Sequence, residues 1–384
     1  MIVVSTNRKN KRRKRGIVVL KTLRKLTFRT LVVLNVVAVI ALLIVGYSGR
    51  INPVDHPIIA TLGLGFPFVL IANIAFIVLW VFIRKRMLWL PILGLIISYG
   101  PIRNYCPFNL SKEKPHGAIK VLSYNVYLFD TWDDVEGKLN PIADYIIRSK
   151  ADIVCLQEAK IETAKKPNIM HTLRKHYKYI DRMVKRNSGD DHMVLLSKFP
   201  ILSRDSIPYS SHSNMSVAYM LDVNGTKTLL VNNHFESYGL TEDEKTSFTE
   251  MVDGKVAVKK AKGKSVSLID KLGKTMMRRA PQVDAVAAYV KKYLDKGTPV
   301  ILCGDFNDTP ISYSHDVING LLADSYASSG NGLGFSYNKS KMYFRIDHIF
   351  ASSEFEPYGA KVDKSINNSD HYPISCWLKY RPKP

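Results

Sequence analysis

The chain has 384 residues, a formal net charge of +22 at pH 7 and four cysteines. The cysteines lie at positions 106, 155, 303 and 376, without the close spacing of a zinc site or of a disulfide framework, so both classes are excluded. No internal repeat or low-complexity tract stands out, which argues against a repeat protein.

The basic charge is concentrated near the amino terminus. Residues 1–117 contain 18 Lys and Arg but only 2 Asp and Glu, and most of these cations lie within residues 8–29. Such a run is compatible with a nucleic-acid-binding tail, but its position directly before an apolar stretch favours the flank of a membrane helix. Residues 1–27 are therefore predicted to form a basic cytoplasmic segment.

Three apolar stretches follow, at about 30–47, 58–83 and 87–102. The second is uncharged throughout and long enough to cross a bilayer, and the first reaches that length with a flanking residue or two. The third is shorter and contains Pro91 and Pro101. We expect residues 28–102 to be a transmembrane region of two or three helices. A cleaved signal peptide is the alternative for the first stretch, but no small-residue cleavage site follows Gly46.

The positive charges predict the orientation of this region. The basic amino terminus and Arg84-Lys85-Arg86 should both be cytoplasmic. If the third stretch spans, the rest of the chain lies outside the cytoplasm, and if it lies in the membrane interface, the rest faces the cytoplasm. We expect a multi-pass protein of the inner membrane of a Gram-negative bacterium, with the domain that follows residue 117 on the periplasmic side.

The remaining sequence alternates between strand and helix patterns. Residues 103–117 are expected to be a polar linker and residues 118–384 a single folded domain. Asn224-Gly225 is a hairpin signal, and Pro281 to Leu294 has apolar residues at helical spacing.

Several strand patterns in this half end in polar side chains. The apolar run from Pro299 to Cys303 leads into Gly304-Asp305-Phe306-Asn307, and similar ends occur elsewhere. Unpaired charges at the end of a buried strand are costly, so repeated polar ends indicate a site. Carboxylate and amide oxygens with imidazoles are typical of magnesium or manganese sites, whereas zinc prefers Cys and clustered His. The side chains concerned are Asn125, Glu158, His234, Asp305, Asn307, Asp347, Asp370 and His371.

Six blocks in order resemble the endonuclease/exonuclease/phosphatase superfamily, which has the deoxyribonuclease I-like fold. Any one block alone is a weak signal, but the ordered set is a strong one. The resemblance implies an α/β fold, a four-layered sandwich in which helices flank two packed mixed β-sheets, here preceded by the transmembrane helices. The blocks are Ser123-Tyr124-Asn125-Val126, Gln157-Glu158, Asn233-His234, Gly304-Asp305-Phe306-Asn307, Arg345-Ile346-Asp347-His348-Ile349 and Ser369-Asp370-His371-Tyr372-Pro373.

The resemblance also implies roles at a metal site. Glu158 is the expected ligand of Mg²⁺ or Mn²⁺, Asn125 helps to hold the metal or a phosphate oxygen, and Asp370 is a candidate for a second metal site. Asp305 is expected to polarise the attacking water, and Asn307 to donate to phosphate. Asp370, taken alone, is equally explained as turn chemistry.

Two histidines complete the expected site. His371 is the family's imidazole, oriented by Asp347, and can stabilise the phosphate or act as acid or base. His234 stands where deoxyribonuclease-like and sphingomyelinase-like members have His and abasic-site endonucleases have Tyr, which argues against an abasic-site repair enzyme. Taken singly, His234 is more often a satisfied histidine, and Asp347 can be an ordinary buried ion-pair partner.

A lysine-rich segment, Leu240 to Ala280, follows His234. It is either a solvated loop and helix or an insertion that approaches the membrane or an anionic substrate. Arg279 and Gln282, at the start of the next predicted helix, are candidate phosphate donors.

The sequence thus predicts a membrane-anchored, metal-dependent phosphodiesterase or phosphatase. Its expected partners are the lipid bilayer and a phosphate ester, which is a phospholipid, an inositol phosphate or a nucleic acid; no obligatory protein partner is evident. A membrane-tethered endonuclease or exonuclease is the second hypothesis, and an inactive receptor or scaffold domain is the third.

Overall fold

The computed structural model describes residues 2–129, 139–160, 167–185, 192–211, 213–252 and 258–381. These residues form two compact units, Met1–Gly46 with Gly65–Tyr99 and Tyr47–Leu64 with Gly100–Pro384. The helices are α1 Ile2–Gly46, α2 Pro57–Ala60, α3 Phe66–Ile83, α4 Trp89–Ile97, α5 Tyr99–Tyr105, α6 Pro141–Ser149, α7 Pro167–Arg174, α8 Glu242–Val252, α9 Val258–Leu294, α10 Tyr313–Asn319 and α11 Ser325–Ser329. The strands are β1 Ile119–Asn125, β2 Ile153–Gln157, β3 Tyr179–Val184, β4 His192–Ser197, β5 Ile201–Ser206, β6 Met215–Val223, β7 Thr226–His234, β8 Val300–Asp305, β9 Ala323–Asp324, β10 Asp347–Ala351, β11 Phe355–Val362 and β12 Ile374–Tyr380.

The first unit is built from apolar helices. Within the described residues, two helical stretches are long and apolar enough to cross a membrane, Ile17–Arg50 and Pro57–Ile83, each with a mean hydropathy of 2.6. Buried amides tie α1 to α3, since Trp80 Nε1 donates to Asn35 Oδ1 at 2.8 Å and Asn73 Nδ2 donates to the Ala38 carbonyl at 2.9 Å. Polar side chains in apolar helices usually face a neighbouring helix, where they find hydrogen-bond partners.

The third apolar stretch forms two short helices instead of one. Helix α4 ends at Ile97 and α5 begins at Tyr99, with a break at Ser98. Pro91 lies within the first turn of α4, where its missing N–H costs no helical hydrogen bond.

The second unit contains two packed six-stranded sheets. Their strand orders are β11-β12-β1-β2-β4-β3 and β5-β6-β7-β8-β10-β9. Each sheet is mixed, because β1 pairs with β2 and β7 with β8 in parallel, while the other pairs are antiparallel. The predicted α/β-sandwich of two mixed sheets with flanking helices is confirmed.

The side chains of the strands alternate between the inter-sheet core and the helical layers. Ile153 and Cys155 of β2 pack between the sheets with Ile301 and Cys303 of β8. On the outer face of the first sheet, α6 and α7 cover the next residues along the strands, such as Val154. Helices α9 and α10 cover the outer face of the second sheet. This period-2 alternation explains why both core cysteines are buried apolar side chains.

Helix α9 begins much earlier than its sequence pattern predicts. Pro281 was the expected first residue, but the helix starts at Val258 and continues through this proline to Leu294. A proline inside a helix removes one hydrogen bond and kinks it. Tertiary packing outweighs that cost, because Met276 and Ala280, before the proline, are buried as fully as Val283 and Val286 after it.

Candidate active site

The predicted site residues lie at the ends of strands on one edge of the sandwich. Within the first sheet, Asn125 at the end of β1 is in register with Gln157 at the end of β2. Within the second sheet, His234 at the end of β7 is opposite Asp305 at the end of β8. Parallel neighbouring strands end at the same edge of a sheet, so the polar side chains at the ends of each strand pair lie close together.

A buried amide pair joins the two sheets directly behind this edge. Gln157 Nε2 donates to Asn232 Oδ1 at 2.7 Å, and Asn232 Nδ2 donates to the Leu156 carbonyl at 3.2 Å. Both side chains are fully buried. Unpaired amides there would be costly, so the two bonds fix how the sheets meet and thereby where the site residues converge.

Asn125 lies between two carboxylates. Its Nδ2 donates to Glu158 Oε1 at 2.9 Å and to Asp305 Oδ2 at 3.1 Å. Its Oδ1 accepts the Tyr127 backbone N–H at 3.1 Å. In this orientation Asn125 holds the Glu158 carboxylate in place with its amide nitrogen.

The two histidines flank Asp305. His371 Nε2 lies 3.6 Å from Asp305 Oδ2, and His234 Nε2 lies 3.8 Å from the same oxygen. His234 Nε2 is also 3.7 Å from Glu158 Oε1. The Asp347 carboxylate bonds the other nitrogen of His371, Nδ1 to Oδ2, at 2.8 Å. Six predicted residues from six separate sequence blocks are therefore in one cluster.

Burial and charge set the protonation of this cluster. Burial by itself lowers the pKa of His371, but the Asp347 and Asp305 carboxylates outweigh it and raise this pKa well above its usual value. Burial raises the pKa of Asp305, opposed in part by the charge of His371. The expected state near neutral pH is a His371 imidazolium beside carboxylates, one of which has an increased affinity for a proton.

Two of the predicted site residues have unusual backbone angles, which set the direction of their side chains. Glu158 has φ of 50° and Asn307 has φ of 51°, in the left-handed region where non-glycine residues are uncommon. Gly304 has φ of 140°, and a Cβ there would collide with the backbone of Asn233 on β7. The block therefore needs glycine at 304 for β8 to approach β7 this closely.

Asn307 and Asp370 are less directly involved. The Asn307 N–H donates to Asp305 Oδ1 at 2.8 Å, but its Nδ2 donates to the Phe235 carbonyl at 3.0 Å. The contacts described for Asp370 are with Ser369 Oγ at 3.4 Å and, through its own carbonyl, with the N–H of Asn338. The roles of Asn307 as phosphate donor and Asp370 as second metal ligand stay predictions.

The structure adds positioning residues that the sequence patterns did not single out. The Ser336 hydroxyl accepts the N–H groups of Ile346 and Asp347 at 3.0 and 3.1 Å. The Ser369 hydroxyl donates to the Asn125 carbonyl at 2.8 Å and accepts the His371 N–H at 3.1 Å. Ser369 lies within a recognised block and could have been found there.

Tyr337 is also at the site and carries no sequence signal. Its ring meets His371 edge-on, with 5.3 Å between the centroids, and its backbone bridges to His371. Tyr337 follows no strand pattern, so only the folded chain reveals the contact.

The structure contradicts the assignment of Arg279 and Gln282 as phosphate donors. Arg279 is fully buried, with Nη1 2.8 Å from Asp308 Oδ2 and its guanidinium stacked 4.5 Å from the Tyr238 ring centre. Gln282 is 1% exposed and bonds the backbone and side chain of Glu236. The Arg279–Asp308 ion pair is structural, because a phosphate that drew Arg279 away would leave the buried negative charge of Asp308 without a partner.

Comparison with known families agrees with this geometry. The family model described as "Endonuclease/Exonuclease/phosphatase family" matches residues 122–371, from the first to the last block of the site. The chain belongs to the endonuclease/exonuclease/phosphatase family. Residues 28–105 match a second model, described as a domain of unknown function (DUF8431). A comparison with curated proteins gave no match.

Several solved structures are similar to this chain. The human nocturnin catalytic domain, solved with a bound sulfate anion, has a TM-score of 0.50 and 17% identity, covering 70% of this chain and 96% of that one. An endonuclease/exonuclease/phosphatase from Bacteroides vulgatus has a TM-score of 0.47 and 16% identity, covering 69% and 99%. The Bacteroides thetaiotaomicron mannosyl-6-phosphatase has a TM-score of 0.44 and 18% identity, covering 68% and 100%. At 17% identity, the likeness to the nocturnin domain shows the fold alone.

Proposed function

We propose that this protein is a membrane-anchored hydrolase of phosphate esters that depends on a divalent metal. The observation that carries the proposal is the cluster in which Asn125, Glu158, His234, Asp305 and the Asp347–His371 pair meet at one strand edge. Burying several ionisable groups together is costly, and such clusters are typical of catalytic sites. This cost argues against an inactive scaffold.

The donor set at the cluster fits a hard divalent cation. Glu158 Oε1 and Asp305 Oδ2 both bond the same amide nitrogen, and the Glu158 side chain is 27% exposed, so this end of the site opens to solvent. Mg²⁺ is usually held by one or two carboxylates together with waters and substrate phosphates. Glu158 would hold the metal, supported by Asn125, and Asp370 would serve a second metal. Bound Mg²⁺ or Mn²⁺ supplies charge neutralisation for the phosphate.

The protein's own groups supply the proton transfers. Asp305, whose pKa is raised by burial, accepts a proton from the attacking water. The His371 imidazolium, held by Asp347, donates to a phosphate oxygen as negative charge develops there. His234 lies within 4 Å of both carboxylates and adds a further donor.

Activity of the purified full-length protein tests this assignment. We expect hydrolysis of a phosphate ester that stops with a chelator and returns with Mg²⁺ or Mn²⁺. Glu158→Ala and His371→Ala should each lower kcat by about 10³-fold or more, since members of a cooperating site act as a unit. Asp295→Ala, which removes an exposed acid from the end of α9, is the matched control and should keep full activity. Turnover that persists in chelator would contradict the metal role.

A substrate screen separates the remaining alternatives. Phospholipids, inositol phosphates and single- and double-stranded DNA and RNA would be compared by kcat/KM under the same metal conditions. Selective hydrolysis of nucleic acid would favour the tethered nuclease over a lipid or inositol-phosphate hydrolase.

The membrane topology is proposed from two segments that pack on the sandwich. The first, Tyr47–Leu64, connects the two candidate spans. A Cβ on Gly49 would lie 2.7 Å from the Ser312 carbonyl oxygen, and a Cβ on Gly63 would collide with the Ile311 carbonyl. This segment thus lies directly against the chain that follows Asp308.

The second segment follows the third apolar stretch. The Asn109 N–H donates to Asn331 Oδ1 at 2.7 Å, and Asn109 Nδ2 donates to the Gly330 carbonyl at 2.6 Å. The buried Arg345 guanidinium donates to the Asn104 carbonyl. Since both segments contact the same domain, we propose that they lie on one side of the bilayer. In this proposal that side is opposite Arg84-Lys85-Arg86, the stretch 87–102 crosses the membrane, and the catalytic domain lies outside the cytoplasm.

A further inference from the structure

The loop that joins β8 to α10, residues 306–312, is buried along its whole length although it has no regular structure. Loops usually run over the protein surface, where water satisfies their backbone polar groups. This loop begins directly after Asp305, and the Asn307 N–H donates to Asp305 Oδ1 at 2.8 Å. Its conformation therefore affects where the proton acceptor of the proposed reaction lies.

The sandwich and its helices hold the first half of this loop. Asp308 Oδ2 lies 2.8 Å from Nη1 of the buried Arg279, and His348 Nε2 lies 3.0 Å from the Asp308 carbonyl oxygen. Both contacts are made by one residue, which directly follows Asn307. They leave open what covers the second half of the loop, residues 309–312.

The second half is covered by the segment that connects the two candidate spans, Tyr47–Leu64, called here the connecting segment. A Cβ on Gly49 would lie 2.7 Å from the Ser312 carbonyl oxygen, and a Cβ on Gly63 would collide with the Ile311 carbonyl. These obstacles are backbone atoms, which cannot move aside unless the loop itself moves. Neither glycine has a positive φ, so the close approach, and not the backbone conformation, requires glycine at both positions.

The connecting segment also contacts the helix that supplies the ion pair of the loop. A Cβ on Gly273 of α9 would lie 2.9 Å from the Pro57 carbonyl oxygen. Arg279, the partner of Asp308, follows six residues later on the same helix. All these residues belong to one compact unit. The connecting segment thus touches both the loop and the element that holds its first half.

We propose that the connecting segment is a positioning element of the active site, which holds the β8–α10 loop and thereby Asp305 in the place that catalysis requires. Closely packed interiors transmit small displacements, and contact between two backbones leaves no flexible side chain to absorb them. A shift of a catalytic group by about 1 Å can lower a rate about 100-fold. The kinetic part of this proposal rests on the proposed function, whereas the packing part does not.

Glycine variants of the full-length protein test the kinetic part, with p-nitrophenyl phosphate and bis(p-nitrophenyl) phosphate as probes in the presence of Mg²⁺. Gly63→Ala should lower kcat per folded molecule about 100-fold, and Gly49→Ala, with the milder clash, about 10-fold. KM should stay within about twofold, because Glu158 follows a strand of the other sheet and still holds the proposed metal. The matched control is Gly65→Ala, which should behave as the wild type, because its added Cβ has no atom within 4 Å. Pulse proteolysis gives the folded fraction of each protein.

Hydrogen exchange measured by mass spectrometry tests the packing part without any substrate. In the wild type, the peptide that covers residues 306–312 should exchange about as slowly as β8. In Gly63→Ala it should exchange at least about 10-fold faster, while β1 keeps its protection. Gly65→Ala should leave both regions unchanged.

Other outcomes would overturn the proposal. If kcat per folded molecule is unchanged in Gly63→Ala and Gly49→Ala, the connecting segment only attaches to the domain. An increase in KM at constant kcat would place its effect on substrate binding instead. If both variants fail to fold, the wild-type exchange decides, since rapid exchange of residues 306–312 refutes the positioning and slow exchange supports it. Faster exchange in Gly63→Ala in a protein without turnover would overturn the proposed function and leave the packing part standing.

Discussion

At the scale of single residues, the Asp347–His371 hydrogen bond sets the chemistry of the site. Its length of 2.8 Å leaves no room for a cation between the two side chains. Asp347, Asp305 and His371 form a group with metal-ligand chemistry, but the direct bond identifies Asp347 as the partner that orients the imidazole. Glu158, with its exposed carboxylate edge, is the metal ligand that we propose.

The variant Asp347→Asn tests this division of roles. It keeps the size of the side chain but removes the charge that raises the pKa of His371. That pKa should fall, so the imidazolium is lost at lower pH. We expect kcat to decrease about 10²–10⁴-fold, the range of general acid–base catalysis. The alkaline limb of the kcat/KM profile should move to lower pH. An unchanged profile would contradict the orienting role, and metal content by mass spectrometry should stay the same.

At the scale of elements, the approach of β8 to β7 positions Asp305 and His234. These strands run in parallel register from Leu229 opposite Val300 to His234 opposite Asp305. Gly304 is the last residue before the carboxylate, and its φ of 140° is a conformation that side-chain-bearing residues rarely adopt. A backbone feature of β8, and not only its side chains, therefore places the acid.

Gly304→Ala should destabilise the protein by about 3 kcal/mol or more, because alanine adds both φ strain and a collision with the Asn233 backbone. The control is Gly225→Ala in the β6–β7 turn, where φ is 86° but no atom lies within 4 Å of the added Cβ. Strain alone should cost about 1 kcal/mol there. Urea unfolding followed by pulse proteolysis measures both values, and equal losses would show that close packing at Gly304 contributes nothing.

At the scale of the whole molecule, two segments that flank the apolar helices belong to the same compact unit as the sandwich. Tyr47–Leu64 and Gly100–Pro384 are grouped together although α3 and α4 separate them in sequence. The predicted polar linker of 103–117 is thus fixed to the sandwich in its first part, through Asn104 and Asn109.

Reporter fusions test the resulting topology. Alkaline phosphatase fused after Gly117 should be active, because it is expected outside the cytoplasm of a Gram-negative host. A fluorescent protein fused after Arg86 should fold and fluoresce, since this basic turn is expected inside. An inactive alkaline phosphatase after Gly117 would contradict the three-crossing arrangement.

The sequence by itself determined the sandwich and most of the cluster. Strand patterns that end in polar residues carry their own signal, because a buried strand tolerates Asp305 or Glu158 only where a site satisfies it. The ordered blocks added His371 and Asp347, and the structure brings them to Asp305 as expected.

Only the tertiary structure decided which polar residues face each other across distant segments. Arg279 pairs with Asp308 and is unavailable to substrate, Tyr337 packs on His371, and α9 continues through Pro281. Each outcome depends on contacts between parts of the chain that are far apart in sequence. Local pattern and propensity cannot specify such contacts, because the free energy of packing and of buried ion pairs exceeds local preferences.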